Sequence, residues 1–255
     1  MKFNEFESQC KALQHKANYT LDPHKPILVH CDGRSFSKII KNKFKKPFDN
    51  DFVELMNNVA CYTAKNIQGC KFAYVQSDEI TFCIINSPES DGFFGCRLCK
   101  MQSVIASLVT SYFVIHYLQL LQKENIDVDI DKALVQFDCK CWNADTFDDV
   151  LDWFIYRQMD CIRNSKQQTA QTYLPHKRLL NLTCDNQIEL LEKEKGISWM
   201  NDIDDGCKYG RFIHKSYENH SEYQEYLKSQ VEYVRTVWIA DSAPIFNRET
   251  NLTEY

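Results

Sequence analysis

Glycine and proline are scarce in this chain of 255 residues, at 7 and 6. Such scarcity excludes collagen-like, linker-rich and disordered architectures. A glycine-rich phosphate loop is missing too, because Gly206 and Gly210 lack the Lys-Ser/Thr follow-on that a P-loop needs. There is no excess of positive charge: 30 Lys and Arg face 35 Asp and Glu, for a net −5. Any contact with nucleic acid must therefore use local patches. No internal repeat and no low-complexity tract is present. The first seven residues, Met1 to Glu7, are acidic and have no apolar core. They differ from a secretory signal or a transit peptide, which sets the expectation of a cytoplasmic protein. The one long charge-free run, 101–122, carries Ser103, Ser107, Thr110, Ser111, His116 and Gln119. It reads as a buried helix, and no membrane partner is expected. In that setting the 12 cysteines read as reduced thiols. Cys96-x-x-Cys99 and Cys139-x-Cys141 do not make the two tight, turn-borne pairs of a structural zinc site.

With 44% hydrophobic and 25% charged residues, the chain can bury a substantial core. Its organising stretch is Ile27-Leu28-Val29-His30-Cys31-Asp32-Gly33-Arg34-Ser35-Phe36-Ser37-Lys38. An apolar, β-branched run delivers a carboxylate to its tip and then turns through glycine, which suits binding of metal and phosphate. A second carboxylate pair follows in Gln76-Ser77-Asp78-Glu79.

Hydrophobic spacing predicts a helix over 2–18, a strand over 27–31, and a helix from Asp49 or Asn50 to about Ile67. Strands at 71–76 and 80–85 flank Ser77-Asp78-Glu79, and a long helix covers 96–123. A strand at 134–139, a helix from Asp148 and a short helix at 187–195 stopped by Gly196 come next. Residues 206–215 read as a hairpin, and 222–233 as a polar helix before a final strand or tail. Strands dominate before residue 140 and helices after it, so the class is α+β. The organisation expected is a catalytic core over 1–140 and a helical and hairpin extension over 141–255, packed together as one unit.

If the strands ending at Asp32 and beginning near Glu79 pair, their carboxylates converge at one edge of a sheet. Two carboxylates about 5 Å apart repel by on the order of 3 kcal/mol at an effective dielectric near 20. Hard divalent cations relieve that repulsion, and two Mg²⁺ ions are the standard apparatus of in-line nucleotidyl transfer. The residue types equally suit a plain turn at Asp32 and a polar hairpin tip at Asp78-Glu79. Lys38, Lys41, Lys43, Lys45 and Lys46 form the most basic segment, fit for a triphosphate, an RNA backbone or a solvated face. Arg97 and Lys100, one helical turn apart, suit either a phosphate or ordinary surface charge. Arg157, Gln158, Arg163 and Asn164 suit either nucleotide contacts or an internal network with Asp152 and Asp160.

Taken together, these motifs resemble the tRNA-histidine guanylyltransferase superfamily, and within it the guanylyltransferase-like 3′–5′ RNA polymerases. The carrying residues are Asp32-Gly33-Arg34-x-Phe36, Lys46-Pro47-x-Asp49, Met56-Asn57, Gln76-Ser77-Asp78-Glu79-x-x-Phe82, Phe137-Asp138 and Arg157-Gln158-x-Asp160. The resemblance spans about residues 1–215. It implies a polymerase- and cyclase-like palm, an antiparallel sheet with flanking helices, plus a C-terminal helical region. It implies two Mg²⁺ ions held by Asp32, Asp78 and the backbone carbonyl of Gly33, with Glu79 also needed for catalysis. Asp32, Gly33, Arg34, Ser35, Phe36, Ser37, Lys46, Ser77 and Asp78 would contact a nucleoside triphosphate. Asp49, Arg97, Lys100 and Asn164 would complete the phosphate- and RNA-binding surface.

The substrates implied are tRNA, ATP and other nucleoside triphosphates, and the assembly implied is a homotetramer. A 5′-monophosphate is activated with ATP, after which the 3′-hydroxyl of an incoming nucleotide attacks. Guanylyltransferases proper usually carry His at the position of Ser37 and His-Ile-Asn-Asn where this chain has Ile162-Arg163-Asn164-Ser165. Those departures resemble the branch that repairs or edits 5′-truncated tRNA by templated addition. Alternatives are a true tRNA-His guanylyltransferase adding one guanosine, a nucleotide cyclase on the same palm, and a catalytically silent tRNA-binding protein.

Overall fold

The computed structural model describes residues 3–16, 19–36, 43–124, 134–224, 226 and 228–252. Ser37, Lys38 and Lys41 lie outside the described residues. Helix α1 spans Phe3–His15 and strand β1 spans Ile27–Gly33. Helix α2, Asn50–Asn66, begins where the Asp49 side chain accepts from the backbone N–H groups of Asp51 and Phe52. Strands β2, Cys70–Gln76, and β3, Glu79–Ile84, follow, joined by the two-residue turn Ser77-Asp78. A 3₁₀ turn at Phe93–Cys96 precedes the long helix α3, Leu98–Lys123, and strand β4 covers Phe137–Asn143. Helix α4, Phe147–Tyr173, opens on a capping box between Thr146 and Asp149. Short helices α5, His176–Leu179, α6, Cys184–Lys195, α7, Trp199–Asp202, and α8, Asp205–Tyr209, lead to β5, Arg211–Gln224, and β6, Ser229–Ser242.

All six strands form one antiparallel sheet in the order β4-β1-β3-β2-β5-β6. Alternation along each strand sends side chains to two layers. Ile27, Val29, Cys31, Ala73, Val75, Ile80 and Phe82 pack on one face with α2 and α3. Leu28, Phe72, Tyr74, Cys83 and Phe212 pack on the other with α4 and Phe246. This is the α+β, palm-like arrangement. Helix α3 is long and apolar enough to cross a membrane by length and composition. It buries Met101, Ile105, Val109, Phe113, Tyr117 and Leu121 against the sheet and exposes Ser103, Ser107 and Ser111.

Three expectations are corrected. Residues 222–233 are not a polar helix but the distal part of the β5–β6 hairpin, with register pairs from Arg211↔Ser242 to Gln224↔Ser229. Tyr223, Tyr226, Val231 and Tyr233 carry strand propensity there, and cross-strand pairing outweighs the helix-forming Glu residues. Residues 206–215 are not a hairpin; α8 ends at Gly210 and β5 starts beyond it. The strand expected at 134–139 runs instead from Phe137 to Asn143, where polar Asp138 and Lys140 alternate with Phe137, Cys139 and Cys141. The sheet thus draws its last two strands from beyond residue 140.

Gly210 marks the α8–β5 junction with φ of 83°, and a Cβ there would fall 2.3 Å from the Tyr74 hydroxyl oxygen. That hydroxyl donates to the Tyr209 carbonyl at 2.8 Å and cannot yield without losing the bond. Gly210→Ala is expected to cost about 3 kcal/mol, from left-handed strain plus overpacking. Urea denaturation checks it, and a loss below about 1 kcal/mol would contradict the clash.

Candidate active site

Register builds the site. Asp32 faces Glu79 across the β1–β3 pair and Asp138 across the β1–β4 pair. Glu79 in turn faces Gln76 on β2. Residues opposite one another share a sheet face, so Asp138, Asp32, Glu79 and Gln76 form one row at the end of the sheet. Asp78 belongs to the turn just beyond it, where Ser77 adopts φ of 47° and donates its hydroxyl to the Asp78 carboxylate at 2.9 Å. Backbone approach fixes Asp78 against β1. A Cβ on Gly33 would stand 2.8 Å from Asp78 Oδ2 and 2.3 Å from the Phe36 ring. Only glycine lets the carboxylate and the ring lie over the chain at this point.

The carboxylates of the row differ in their neutralisation. Glu79 accepts from the Arg157 guanidinium and from Gln76 Nε2 at 2.8 Å. Arg157 also reaches Asp160 at 3.1 Å, and Asp160 accepts from Arg163 and from Asn164 at 3.1 Å. Among the described residues neither Asp32 nor Asp78 has an ion-pair partner. Burial raises the Asp32 carboxyl above its ordinary range, with Glu79 and Asp138 adding to the shift. Burial also pushes Asp78 up to about 6, against its hydrogen bond with Ser77, and Asp32 and Glu79 raise it further.

Behind Glu79, Trp153 Nε1 donates to Thr81 Oγ1 at 3.3 Å, and Thr81 meets His30 Nδ1 at 2.9 Å. Burial, then Arg157 and Lys140, holds His30 down to about 4, so it is a neutral ring at physiological pH.

A cleft of about 400 Å³ opens at this end of the sheet, between α2 and α4. Phe36, Phe44, Pro47, Phe48 and Phe52 form its apolar wall, and Lys45, Lys46, Asp49, Ser77, Asp78 and Asn164 are among its polar groups. Its size and mixed lining suit a nucleotide.

Of the residues singled out from sequence, Asp32 and Glu79 share the row and Gly33 carries Asp78. Phe36, Lys46, Asp49, Ser77, Asp78, Glu79 and Asn164 line the cleft. Asp49 is also the cap of α2 and accepts from the Lys45 backbone at 2.7 Å. Arg34 turns away to Gln136, donating at 3.1 Å, and Ser35 is an exposed turn residue with φ of 57°. Arg97 and Lys100 stand at the start of α3, whereas Phe113 further along that helix touches Phe36, with ring centroids 5.2 Å apart. At 1.5 Å per residue, Arg97 and Lys100 lie roughly 24 and 20 Å along the helix from Phe113 within one chain. Sequence reasoning missed Asp138 as a member of the row, the Trp153–Thr81–His30 chain and Arg211, which also lines the cleft. Period-two alternation through Asp138 and Lys140 was the available signal for the first.

An antiparallel palm that ends in clustered carboxylates beside a nucleotide-sized cleft suits the catalytic domain of a nucleotidyltransferase. The profile of the tRNAHis guanylyltransferase family (Thg1) matches residues 7–145, more than half of the chain. An uncharacterized protein of Acanthamoeba polyphaga mimivirus is 27% identical over 226 residues, covering 81% of this chain and 76% of that protein. The tRNA(His) guanylyltransferase of Debaryomyces hansenii is 26% identical over 230 residues, covering 86% of this chain and 84% of its own. A bacterial tRNA(His) guanylyltransferase-like protein solved with ATP matches with a TM-score of 0.77 at 30% identity, covering 96% of this chain and 95% of that one. The corresponding GTP complex matches with 0.70 at 27% identity, with the same coverage. The chain belongs to the tRNAHis guanylyltransferase family of nucleotidyltransferases.

Two outcomes follow from the row. Arg157→Ala leaves Glu79 unpaired beside Asp32 and should cost about 3 kcal/mol in a denaturant titration; a loss under about 1 kcal/mol would contradict the pairing. For Asp78, the folded carboxyl titrates near 6 and the unfolded one near 3.8. Between those values the folded state binds the extra proton, so this contribution favours folding at low pH and is lost as pH rises through about 6. The thermal midpoint of metal-free protein should therefore fall between about pH 4 and 7 relative to Asp78→Asn; a constant difference would contradict the shift.

Proposed function

We propose that this protein is a Mg²⁺-dependent 3′–5′ nucleotidyltransferase that repairs or edits the 5′ end of truncated tRNA by templated addition. One observation carries the reading: Asp32 and Asp78 are half-buried carboxylates with no ion-pair partner among the described residues, while their neighbour Glu79 is already paired with Arg157. No three His, Cys, Asp or Glu residues among the described ones cage a cation on their own. Mg²⁺ does not require that, since it takes one or two carboxylates and completes its shell with water and substrate phosphates. Asp32, Asp78 and the Gly33 carbonyl would hold it, and when bound it supplies charge stabilisation on the attacking and leaving oxygens.

The chain's own groups do the remaining work. Lys45 and Lys46 at the cleft neutralise triphosphate charge, and the phenylalanine wall takes the base. Arg157 holds the Glu79 carboxylate in a fixed geometry facing Asp32. In the first reaction the tRNA 5′-phosphate attacks ATP and pyrophosphate leaves. In the second the 3′-hydroxyl of the incoming nucleotide attacks the activated 5′ end and AMP leaves. Templated addition rests on Ser37 and on Ile162-Arg163-Asn164-Ser165, which replace the His-bearing signatures of guanylyltransferases proper. A homotetramer located in the cytoplasm completes the reading.

Addition of a single 5′ guanosine to tRNA-His is the second reading, favoured by the activity named for the Debaryomyces relative. Incubating the protein with ATP, all four nucleoside triphosphates and either full-length tRNA-His or a 5′-truncated tRNA, then sequencing the 5′ ends, separates them. Templated extension of the truncated RNA is expected, and Asp78→Ala should slow it by about a hundredfold or more. Extension by guanosine alone on tRNA-His would favour the second reading. Wild-type rates in Asp78→Ala would sink both.

A further inference from the structure

Strand β5 meets β2 only from Arg211 to Ile213, yet it continues to Gln224 with β6 as its sole strand partner among the described residues. Residues 214–224, at about 3.4 Å each, make a two-stranded arm roughly 37 Å long. A ribbon of two strands standing alone is marginal in water. Strand β6 is also the edge of the whole sheet. Its register with β5 runs unbroken from Arg211↔Ser242 to Gln224↔Ser229, so no bulge turns that edge aside, and no proline interrupts it.

The two strands of the arm differ in character. Between 231 and 239, β6 carries Val231, Tyr233, Val234, Val237, Trp238 and Ile239, whereas the facing residues 214–222 of β5 hold one large apolar or aromatic side chain, Tyr217. Val234 is 61% exposed and Tyr233 41%, on opposite faces of the ribbon. A long, regular, apolar edge with free backbone N–H and C=O groups is a template for another strand. The arm's charge argues against RNA as the partner, because residues 214–236 hold three Lys or Arg against four Glu and a polyanion needs a surplus of cations.

The strand that matches this edge in length and polarity is β6 itself. An antiparallel pair of β6 with β6 of a second copy, centred on Val234, sets Val234 against its own counterpart. The same register sets Tyr233 against the second copy's Arg235, Val231 against its Val237 and Glu232 against its Thr236. No like charges oppose one another there, whereas centring the pair on Arg235 would oppose two arginines. We propose that β6 is the interface through which two copies of this chain join, as a two-fold antiparallel β6–β6 pair centred on Val234. The inference stands apart from the nucleotidyltransferase reading and gives the homotetramer named there one of its two-fold contacts.

Sedimentation of the full chain over a range of concentrations tests it on the wild type, Val234→Thr, Val234→Lys and Val234→Glu. The wild type should sediment as a dimer or a tetramer, and Val234→Thr, which keeps the β-branched shape, should follow it. Val234→Lys and Val234→Glu each set like charges against one another at the axis and should raise the dissociation constant of that assembly about tenfold or more. An equal mixture of the two should assemble again, because lysine then meets glutamate. That rescue also guards against a folding failure, since misfolded variants would not restore each other. A second measurement needs no variant: amide hydrogen exchange in 229–240 of the wild type should slow as protein concentration rises, while 214–224 stays unchanged. A monomeric wild type overturns the proposal. So does an unchanged assembly in Val234→Lys, a mixture that fails to recover, or exchange in β6 that ignores concentration.

Discussion

Like charges gathered at one end of an antiparallel sheet set the terms for the rest of this molecule. Pairing of β1 with both β3 and β4 aligns Asp138, Asp32 and Glu79 side by side, and the β2–β3 turn adds Asp78. Each close pair costs on the order of a few kcal/mol in a partly buried setting. Arg157 from α4 relieves one member, and Asp160, Arg163 and Asn164 extend that network along the same helix. Helix α4 is therefore long and polar along one stripe because it must deliver a cation to the sheet end. Asp138, Asp32 and Asp78 are left without an ion-pair partner among the described residues; Asp138 is exposed, Asp32 and Asp78 are half-buried, and Asp78 lies against Gly33 and lines the cleft.

Packing explains why the aspartates stay where they are despite the repulsion. Phe36 closes over Gly33 and packs edge-on against Phe113 of α3 and at a tilt against Phe137 of β4, with ring centroids 5.2 and 5.0 Å apart. The core beneath the site is thus continuous with the apolar wall of the cleft. Burial that holds the rings also desolvates Asp32 and Asp78, which raises both carboxyls. Stability and chemistry draw on the same residues, so a proton, a cation or an altered side chain in the row changes both.

Much of this was legible in the sequence because it is local. The β-branched run 27–31 before Asp32, the capping Asp49 and the Ser77-Asp78 turn announce themselves in a few residues. The register that sets Asp32 opposite Glu79 was stated as a condition, and the structure meets it. Non-local facts were not legible. The β5–β6 hairpin is built from a polar stretch whose strand character emerges from pairing with itself. Asp138 joins the row only through β4 register, and Arg211 reaches the cleft only because β5 lies beside β2. Arg97 and Lys100 look like partners of the phosphate site in one dimension, yet the length of α3 separates them from it. The Arg157 alternatives resolved into a network with Glu79 and Asp160, while Asp152 pairs instead with Arg248.

The most direct test of the central claim is a Mn²⁺ titration followed by electron paramagnetic resonance, with a non-hydrolysable nucleoside triphosphate present. It compares the wild type with Asp32→Asn, Asp78→Asn and the double variant. If Asp32 and Asp78 are a cation site left open by Arg157's choice of Glu79, either single change should weaken Mn²⁺ uptake by about tenfold or more, and the double variant should abolish it. Undiminished Mn²⁺ binding in the double variant would contradict the account.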